Sequence, residues 1–299
     1  MDDRSQPLEW PAEGVSRVPY RVYADADLYD LEQKRIFHGP VWSFLALARE
    51  IPKPGDYRAT FIGETPVIVV RDEAGEVRAM VNRCAHRGNL VCVKKAGSAE
   101  RLTCVYHNWT YDLRGNLTSV AFAKGVGRAG GMPADFDPAE HGLRRLRVES
   151  YQGLVFGTFS DAAPPLAGYL GEVMRTNIDR VLGRPMCILG AYSQVMHNNW
   201  KLYIENVRDS YHASLLHLFF STFRLNRLSM EGGIKLSERG WHHISYSIAA
   251  TDREEAEYAA DKLRSVNDEF RLADRSMLEN WPEYPCGTTL AIQSIFPNF

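Results

Sequence analysis

Residues 82–111 read NRCAHRGNLVCVKKAGSAERLTCVYHNWTY, and two short segments within them carry paired metal-ligand side chains. The first segment is Cys84-Ala-His86 and the second is Cys104-Val-Tyr-His107. Each supplies one thiolate and one imidazole. The pattern therefore predicts a metal centre built by two separate loops.

Two kinds of metal centre use this ligand set. A mononuclear zinc site accepts two Cys and two His, but structural zinc sites usually open with two Cys in one knuckle. One Cys and one His on each loop favour a Rieske [2Fe-2S] centre, with Cys84 and Cys104 on one iron and His86 and His107 on the other. Neutral imidazoles raise the reduction potential of such a cluster, which suits an electron relay. Cys92 has no His partner and is expected to be a buried core residue that binds no metal.

The residues around the two loops are rich in β-strand signals. Short β-rich runs extend from Gly55 to about Phe159, separated by turn signals at 72–75 and 114–116. A helix and then a strand are expected over 27–51, on either side of a Gly-Pro break. The Gly-rich stretch 125–133 lacks the context of a phosphate loop and is expected to be a surface loop. The sequence predicts a small all-β module set into another domain.

The second half of the chain is mixed in character. The prolines in DAAPPL at 161–166 indicate a domain boundary. The expected elements then follow in chain order as a helix over 166–181, a strand over 187–197, a helix over 200–220, a helix over 253–280 and a strand over 288–299.

A second group of polar residues falls within NWKLYIENVRDSYHASLLH, residues 199–217. On a regular helix Asp209 and His212 are about 60° apart and share a face, but His212 and His217 are about 140° apart. The two imidazoles meet only if the helix breaks or carries a wider π-type turn. The residues alone leave open that one His faces the core and the other faces water.

Both motifs resemble those of one family. NRCAHRG with CVYHNWTYDLRGNL is similar to the Rieske domain of bacterial aromatic-ring hydroxylating oxygenases, except that Val105 stands where the family often has Pro. Asp-x2-His-x4-His, preceded by Asn-Trp-Lys-x3-Glu-Asn, resembles the catalytic motif of the same family. That match implies that His212 and His217 bind a mononuclear non-haem Fe(II). It also implies that Asp209 links His212 to a cluster His of a neighbouring subunit and that Asn206 lies near the iron.

The resemblance also implies the fold. It predicts an α+β chain in which an all-β Rieske domain, residues 40–160, is inserted into a helix-grip catalytic domain with an antiparallel sheet. Residues 1–39 and 161–299 are assigned to that catalytic domain, which is expected to be incomplete here. The third iron ligand, an Asp, is expected beyond residue 299.

The function implied is that of a large (α) subunit of a terminal oxygenase component. It would hydroxylate an aromatic carboxylate resembling terephthalate, anthranilate or salicylate, using O2 and electrons from NAD(P)H. A reductase, with or without a ferredoxin, and a small β subunit are the expected partners, in an α3 or α3β3 assembly. Two alternatives are a Rieske electron-transfer protein without oxygenase activity and a zinc-binding structural protein.

Composition excludes other classes of function. A net charge of -2 and an isoelectric point near 6.5 give no basic surface for nucleic acid or an anionic membrane. No apolar run is long enough to cross a membrane, and no export signal opens the sequence. A cytoplasmic protein is therefore expected, in which five sparse cysteines do not form a disulfide framework.

Overall fold

The computed structural model describes residues 8–12, 14, 17–127, 129–209, 211–223, 225–227, 229–248, 256 and 288–299. The helices are α1 Arg21–Ala24, α2 Ala26–Glu32, α3 Leu166–Leu182, α4 Trp200–Arg208, α5 Ala213–Leu216 and α6 Leu218–Thr222, with a π-helical turn at Gln33–Phe37 and 3-10 turns at Ala48–Glu50 and Pro138–His141. The strands are β1 Ser43–Leu47, β2 Asp56–Ile62, β3 Thr65–Arg71, β4 Val77–Val81, β5 Ala96–Ser98, β6 Leu102–Thr103, β7 Thr110–Tyr111, β8 Leu117–Ser119, β9 Arg147–Tyr151, β10 Leu154–Thr158, β11 Gly232–Leu236, β12 His243–Ile248 and β13 Thr288–Ser294.

A four-stranded antiparallel sheet, in the order β4-β3-β2-β5, forms one wall of the β module. Strand β3 reads TPVIVVR and is buried at its five central residues, as expected for a continuous apolar run between two neighbours. The turn after it is fixed by Asp72. Its buried carboxylate accepts the backbone N–H groups of Ala74 and Glu76 and pairs with Arg78 at 2.9 Å.

The opposite side of the module is the small sheet β6-β7-β8, which carries the second Cys-His segment. One apolar core lies between the two sheets. It contains Ile68 and Met80 from the large sheet, Tyr111 from the small one, and the side chains of Cys84 and Cys104. Both cysteines are therefore held by the same packed core.

Strands β1, β10 and β9 form a third antiparallel sheet that joins the module to helix α3. Trp42, just before β1, is fully buried, and its indole N–H donates to the carbonyl of Pro164 just before α3. Leu170, Met174 and Ile178 of α3 pack in one core with Ile244 of β12. Helix α3 thus covers the antiparallel sheet β11-β12-β13, and the α+β class predicted from the sequence is observed.

The structure differs from the sequence expectations in two segments. Residues 187–197, expected to form a strand, are exposed and pair with no strand of the described residues. The single helix expected over 200–220 is three helices, because the chain leaves helical geometry at Asp209 (ψ 101°) and at His217 (ψ 74°). The helix expected over 253–280 falls outside the described residues, apart from residue 256. Among the described residues, no helix has the length and apolar character needed to cross a membrane.

Candidate metal centres

The two Cys-His loops are closed by the same pair of backbone hydrogen bonds. In the first loop, Cys84 N donates to Asn89 O at 2.8 Å and Gly88 N donates to Cys84 O at 2.9 Å. In the second, Cys104 N donates to the carbonyl five residues ahead at 2.9 Å, and Asn108 N donates to Cys104 O at 2.9 Å. The fourth residue after each Cys has a positive φ, 73° at Gly88 and 53° at Asn108. Gly and Asn are the residues that adopt this conformation most readily.

The two thiols are both buried in the same core, and the ionisation of each affects that of the other. Burial raises the pKa of the Cys84 thiol. Burial also tends to raise the pKa of the Cys104 thiol. Its pKa is nevertheless lowered overall, because the sulfur receives hydrogen bonds from the backbone N–H groups of Tyr106 and His107 and from the side chain of Asn89. Amide N–H groups directed at a sulfur stabilise the thiolate, which is the form that binds metal.

Tyr111 touches the first of these sulfurs. Its hydroxyl lies 3.2 Å from Cys84 Sγ and accepts the backbone N–H of Ala85 at 3.0 Å, which leaves its own proton free to donate to a thiolate at Cys84. Asn82 fixes the same loop from the other side. Its buried amide accepts the N–H groups of Val91 and Cys92 and donates to the carbonyl of Cys92. Sequence reasoning quoted both positions within the family motif but gave neither a role.

The two imidazoles of the loops lie side by side near the surface. The ring centroids of His86 and His107 are 4.7 Å apart, and the indole of Trp109 stacks on His86 at 5.0 Å. Desolvation lowers the pKa of His86, and the nearby His107 and Arg87 lower it further. The Nδ1 atom of His107 is buried and has no hydrogen-bond partner. A buried ring nitrogen without a partner is costly unless it binds a metal.

These features fit a two-iron cluster better than a single ion. Both sulfurs lie in the core and the two imidazoles lie nearer the surface, which is the division that a Rieske cluster requires.

The second candidate centre forms where α4 ends. Helix α5 ends at Leu216, the chain leaves helical geometry at His217, and the Nε2 atoms of His212 and His217 lie 3.3 Å apart. Bonds from one ion to two nitrogens are each about 2.0–2.1 Å, so the nitrogens can be up to about 4.2 Å apart. The pair therefore fits a shared metal ion. The sequence required a helix break or a wider turn for the two imidazoles to meet, and α5 ends between them at Leu216.

Asp209 and Asn206 lie on different sides of the His212 ring. The Oδ2 atom of Asp209 is 3.2 Å from His212 Nδ1, although the angle there is not that of a hydrogen bond. Its other oxygen accepts the N–H of Tyr211 at 2.8 Å and so fixes the turn before α5. The amide of Asn206 is 3.3 Å from His212 Nε2, on the side that faces His217.

A cavity of about 170 Å³ adjoins this pair. Val207, Phe220 and Ile292 give it apolar walls, and Ser245 and Tyr246 of β12 also line it. An apolar space with a few polar groups beside a metal-binding pair is typical of a small-molecule site. Sequence reasoning did not single out Ser245 or Tyr246, because nothing in a short β-strand run marks which residues line a cavity.

Comparison with known proteins assigns the chain to a family. Residues 41–128 match the Rieske [2Fe-2S] domain. The chain is 50% identical over 292 residues to the terephthalate 1,2-dioxygenase terminal oxygenase component subunit alpha 2 of Comamonas sp., covering 98% of this chain and 71% of that protein. It is also 50% identical over 297 residues to the anthranilate 1,2-dioxygenase large subunit of Burkholderia cepacia, covering 99% of this chain and 70% of that protein.

A solved structure shares the fold. The naphthalene 1,2-dioxygenase from Rhodococcus sp. bound to indole superposes with a TM-score of 0.69 at 32% identity, over 80% of this chain and 55% of that chain. The present chain thus spans little more than half of that subunit. Three findings agree with one another: the two loops of the β module, the matched Rieske domain, and the similarity over 98–99% of this chain. The chain belongs to the α subunits of the Rieske-type terminal oxygenases of aromatic dioxygenase systems.

Proposed function

We propose that this chain is the oxygenase subunit that hydroxylates an aromatic carboxylate with O2 at a mononuclear Fe(II) held by His212 and His217. The observation that carries the proposal is the pairing of the two Nε2 atoms at 3.3 Å beside an apolar cavity, in a chain that also has a Rieske domain. Two imidazoles and a carboxylate leave open positions on Fe(II) for O2 next to a substrate.

The roles of the residues follow from their positions. Cys84 and Cys104 hold one iron of the cluster, and His86 and His107 hold the other. When bound, the cluster supplies the electrons that O2 activation at one mononuclear iron consumes. We propose NAD(P)H as their source, through a reductase with or without a ferredoxin.

Asp209 orients the iron ligand rather than binding the iron itself. It contacts Nδ1 of His212, whereas Nε2 is the nitrogen that faces His217. A carboxylate on the other ring nitrogen fixes the tautomer and the direction of a ligand His. We propose that the third ligand is an Asp beyond residue 299, as the family resemblance implies. Asn206, with its amide at His212 Nε2, borders the position that the metal would take.

The assembly that we propose is α3 or α3β3, with a small β subunit in the second case. In that arrangement Asp209 of one subunit would reach a cluster His of the next. His86 is exposed at the tip of the β module, as such a contact requires. Asp209 is also half-exposed, with 49% of its side-chain surface accessible.

The substrate class is proposed from the relatives and the cavity. The two relatives at 50% identity are named for terephthalate and anthranilate, which are both benzoic acid derivatives. The apolar walls at Val207, Phe220 and Ile292 suit an aromatic ring, and Ser245 of β12 lines the same cavity.

A turnover assay tests the substrate class. Terephthalate, anthranilate, salicylate and benzoate are each incubated with the full-length oxygenase, a compatible electron source and O2, and hydroxylated product is measured with O2 consumption. We expect product from at least one acid and none from its methyl ester at equal concentration. Cluster reduction without product from any of the acids would favour an electron-transfer protein. A zinc-containing, colourless protein would favour the structural alternative.

A further inference from the structure

Glu32 is a buried carboxylate with three hydrogen bonds from one short segment of α4. It is 7% exposed and lies at the end of α2, immediately before the π-helical turn. Its oxygens accept the indole N–H of Trp200 at 2.9 Å and the Lys201 ammonium at 2.7 and 2.9 Å. The Lys201 side chain is only 17% accessible, so the ion pair is largely shielded from water.

The same end of α4 is held by further contacts to the N-terminal segment. Asn199 caps the helix by accepting Lys201 N at 3.1 Å, and its amide donates to the carbonyl of Tyr23 at 3.1 Å. The ring of Phe37, in the π-helical turn, packs edge-on against Trp200 at 5.2 Å. The first turn of α4 is therefore clamped by residues 23–37, although about 170 positions separate the two segments in the chain.

The rest of α4 has little core packing of its own, since none of its residues is buried. At its far end Arg208 reaches the ring of His243 and the carbonyl of Trp241, both at 3.3 Å, through a long and adaptable side chain. Asn206 lies on the last turn and Asp209 is the C-cap. Any rotation of α4 about its axis therefore moves both groups that contact His212.

We infer that Glu32 is a positioning residue for the proposed iron site: through Trp200 and Lys201 it fixes α4, and α4 fixes the Asn206 and Asp209 groups around His212. The inference rests on the proposed function for the iron itself. A buried ion pair contributes little net stability compared with apolar groups of similar size. Its hydrogen bonds are directional, however, and so define one position and rotation of α4. Apolar contacts are not directional and would not define them in this way.

The test uses the full-length oxygenase and a double variant, Glu32→Gln with Lys201→Met. The glutamine keeps an acceptor for Trp200, and removing both charges leaves no unpaired ion in the core. Glu50→Gln is the matched control, because it breaks a 2.8 Å ion pair with Arg58 in the β module. Three properties are measured: the melting temperature, hydrogen exchange of the amides in 200–209, and the Kd for Fe(II) of protein that retains its cluster.

We expect the double variant to melt near the wild-type temperature, to exchange the α4 amides faster and to bind Fe(II) about tenfold more weakly, as on loss of other groups that orient a ligand. The visible spectrum of the cluster should not change. The single variant Lys201→Arg keeps the ion pair with Glu32, so its α4 amide exchange and its Fe(II) affinity should both match those of the wild type. Unchanged exchange in the double variant, or an equal loss of Fe(II) affinity in Glu50→Gln, would overturn the inference. If wild-type protein binds no Fe(II) beyond its cluster, the proposed function fails, while the exchange data still decide whether Glu32 positions α4.

Discussion

Asp209 and His212 contact each other through the ring nitrogen that does not face His217. Asp209 Oδ2 lies 3.2 Å from His212 Nδ1, and Nε2 of the same ring lies 3.3 Å from Nε2 of His217. The two nitrogens of His212 are thus divided between a carboxylate and a metal-binding pair. This division is the usual one for a metal ligand that a neighbouring acid orients.

Asp209→Asn tests the role of that carboxylate. The amide oxygen can still accept the N–H of Tyr211, so the turn should persist, but the negative charge beside His212 is lost. We expect both metal centres to be retained and turnover to fall by about 10–100-fold. Single-turnover reoxidation of the cluster, compared with an Asp179→Asn control on the surface of α3, measures the effect. Wild-type turnover in Asp209→Asn would remove Asp209 from the mechanism.

Two buried cysteines provide a matched test of the cluster ligands. Cys104→Ser removes a thiol whose pKa is lowered by the N–H groups around it, and the reddish-brown iron-sulfur absorption should disappear. Cys92→Ser alters a thiol of similar burial whose pKa burial raises to about 12, and the absorption should remain. Loss of the colour in Cys92→Ser, or its survival in Cys104→Ser, would contradict the assignment.

Tyr111→Phe tests the hydrogen bond to Cys84. The ring would still fill its buried position, but the 3.2 Å contact from the hydroxyl would be lost. A hydrogen bond to a cluster sulfur favours the reduced form, and one such bond contributes about 1 kcal/mol, which is roughly 40 mV for one electron. We expect the reduction potential to fall by that order, as measured by spectroscopic titration. A potential that rises or stays constant would contradict this reading of the contact.

Two histidines outside the metal centres predict how stability depends on pH. Burial, and then the charge of Arg208, lower the pKa of His243 to about 4, and burial also lowers the pKa of His242. In the folded chain both rings therefore take up protons at a lower pH than in the unfolded chain, where protonation begins near pH 6.5. The free energy of unfolding should therefore be highest above pH 6.5 and fall as the pH drops toward 4.

Urea unfolding midpoints between pH 7.5 and 4.5 measure this dependence, with the cluster absorption followed to show that metal is retained. His243→Asn should flatten the profile over the same range. An identical profile in the variant would mean that His243 does not contribute.

The sequence predicted the β module and the pairing of one Cys with one His on each of its loops because local spacing decides them. A Cys and a His within one short loop must lie together, and a continuous apolar run such as β3 must be buried. The contact between His212 and His217 could not be decided in this way. On one regular helix the two rings would point about 140° apart, and the sequence does not show that α5 ends at Leu216, just before His217.

Contacts between distant parts of the chain left no signal in the sequence. The buried carboxylate of Glu32 meets Lys201 across 169 positions of the chain, and in sequence Glu32 looks like an ordinary helix-surface acid. The expected strand at 187–197 had the right apolar character but pairs with no described strand, and strand formation requires a hydrogen-bonding neighbour. Tyr111 was visible as part of a motif, but its bond to Cys84 required the fold.

Iron and acid-labile sulfide quantified per chain in the purified full-length protein test the central claim most directly, with visible absorption of the same sample. One Rieske cluster and one mononuclear site predict about three irons and about two sulfides. His212→Ala with His217→Ala should lower the iron to about two and leave the sulfide and the colour unchanged. Iron equal to sulfide in the wild type would contradict the mononuclear site. Zinc without sulfide would contradict both centres.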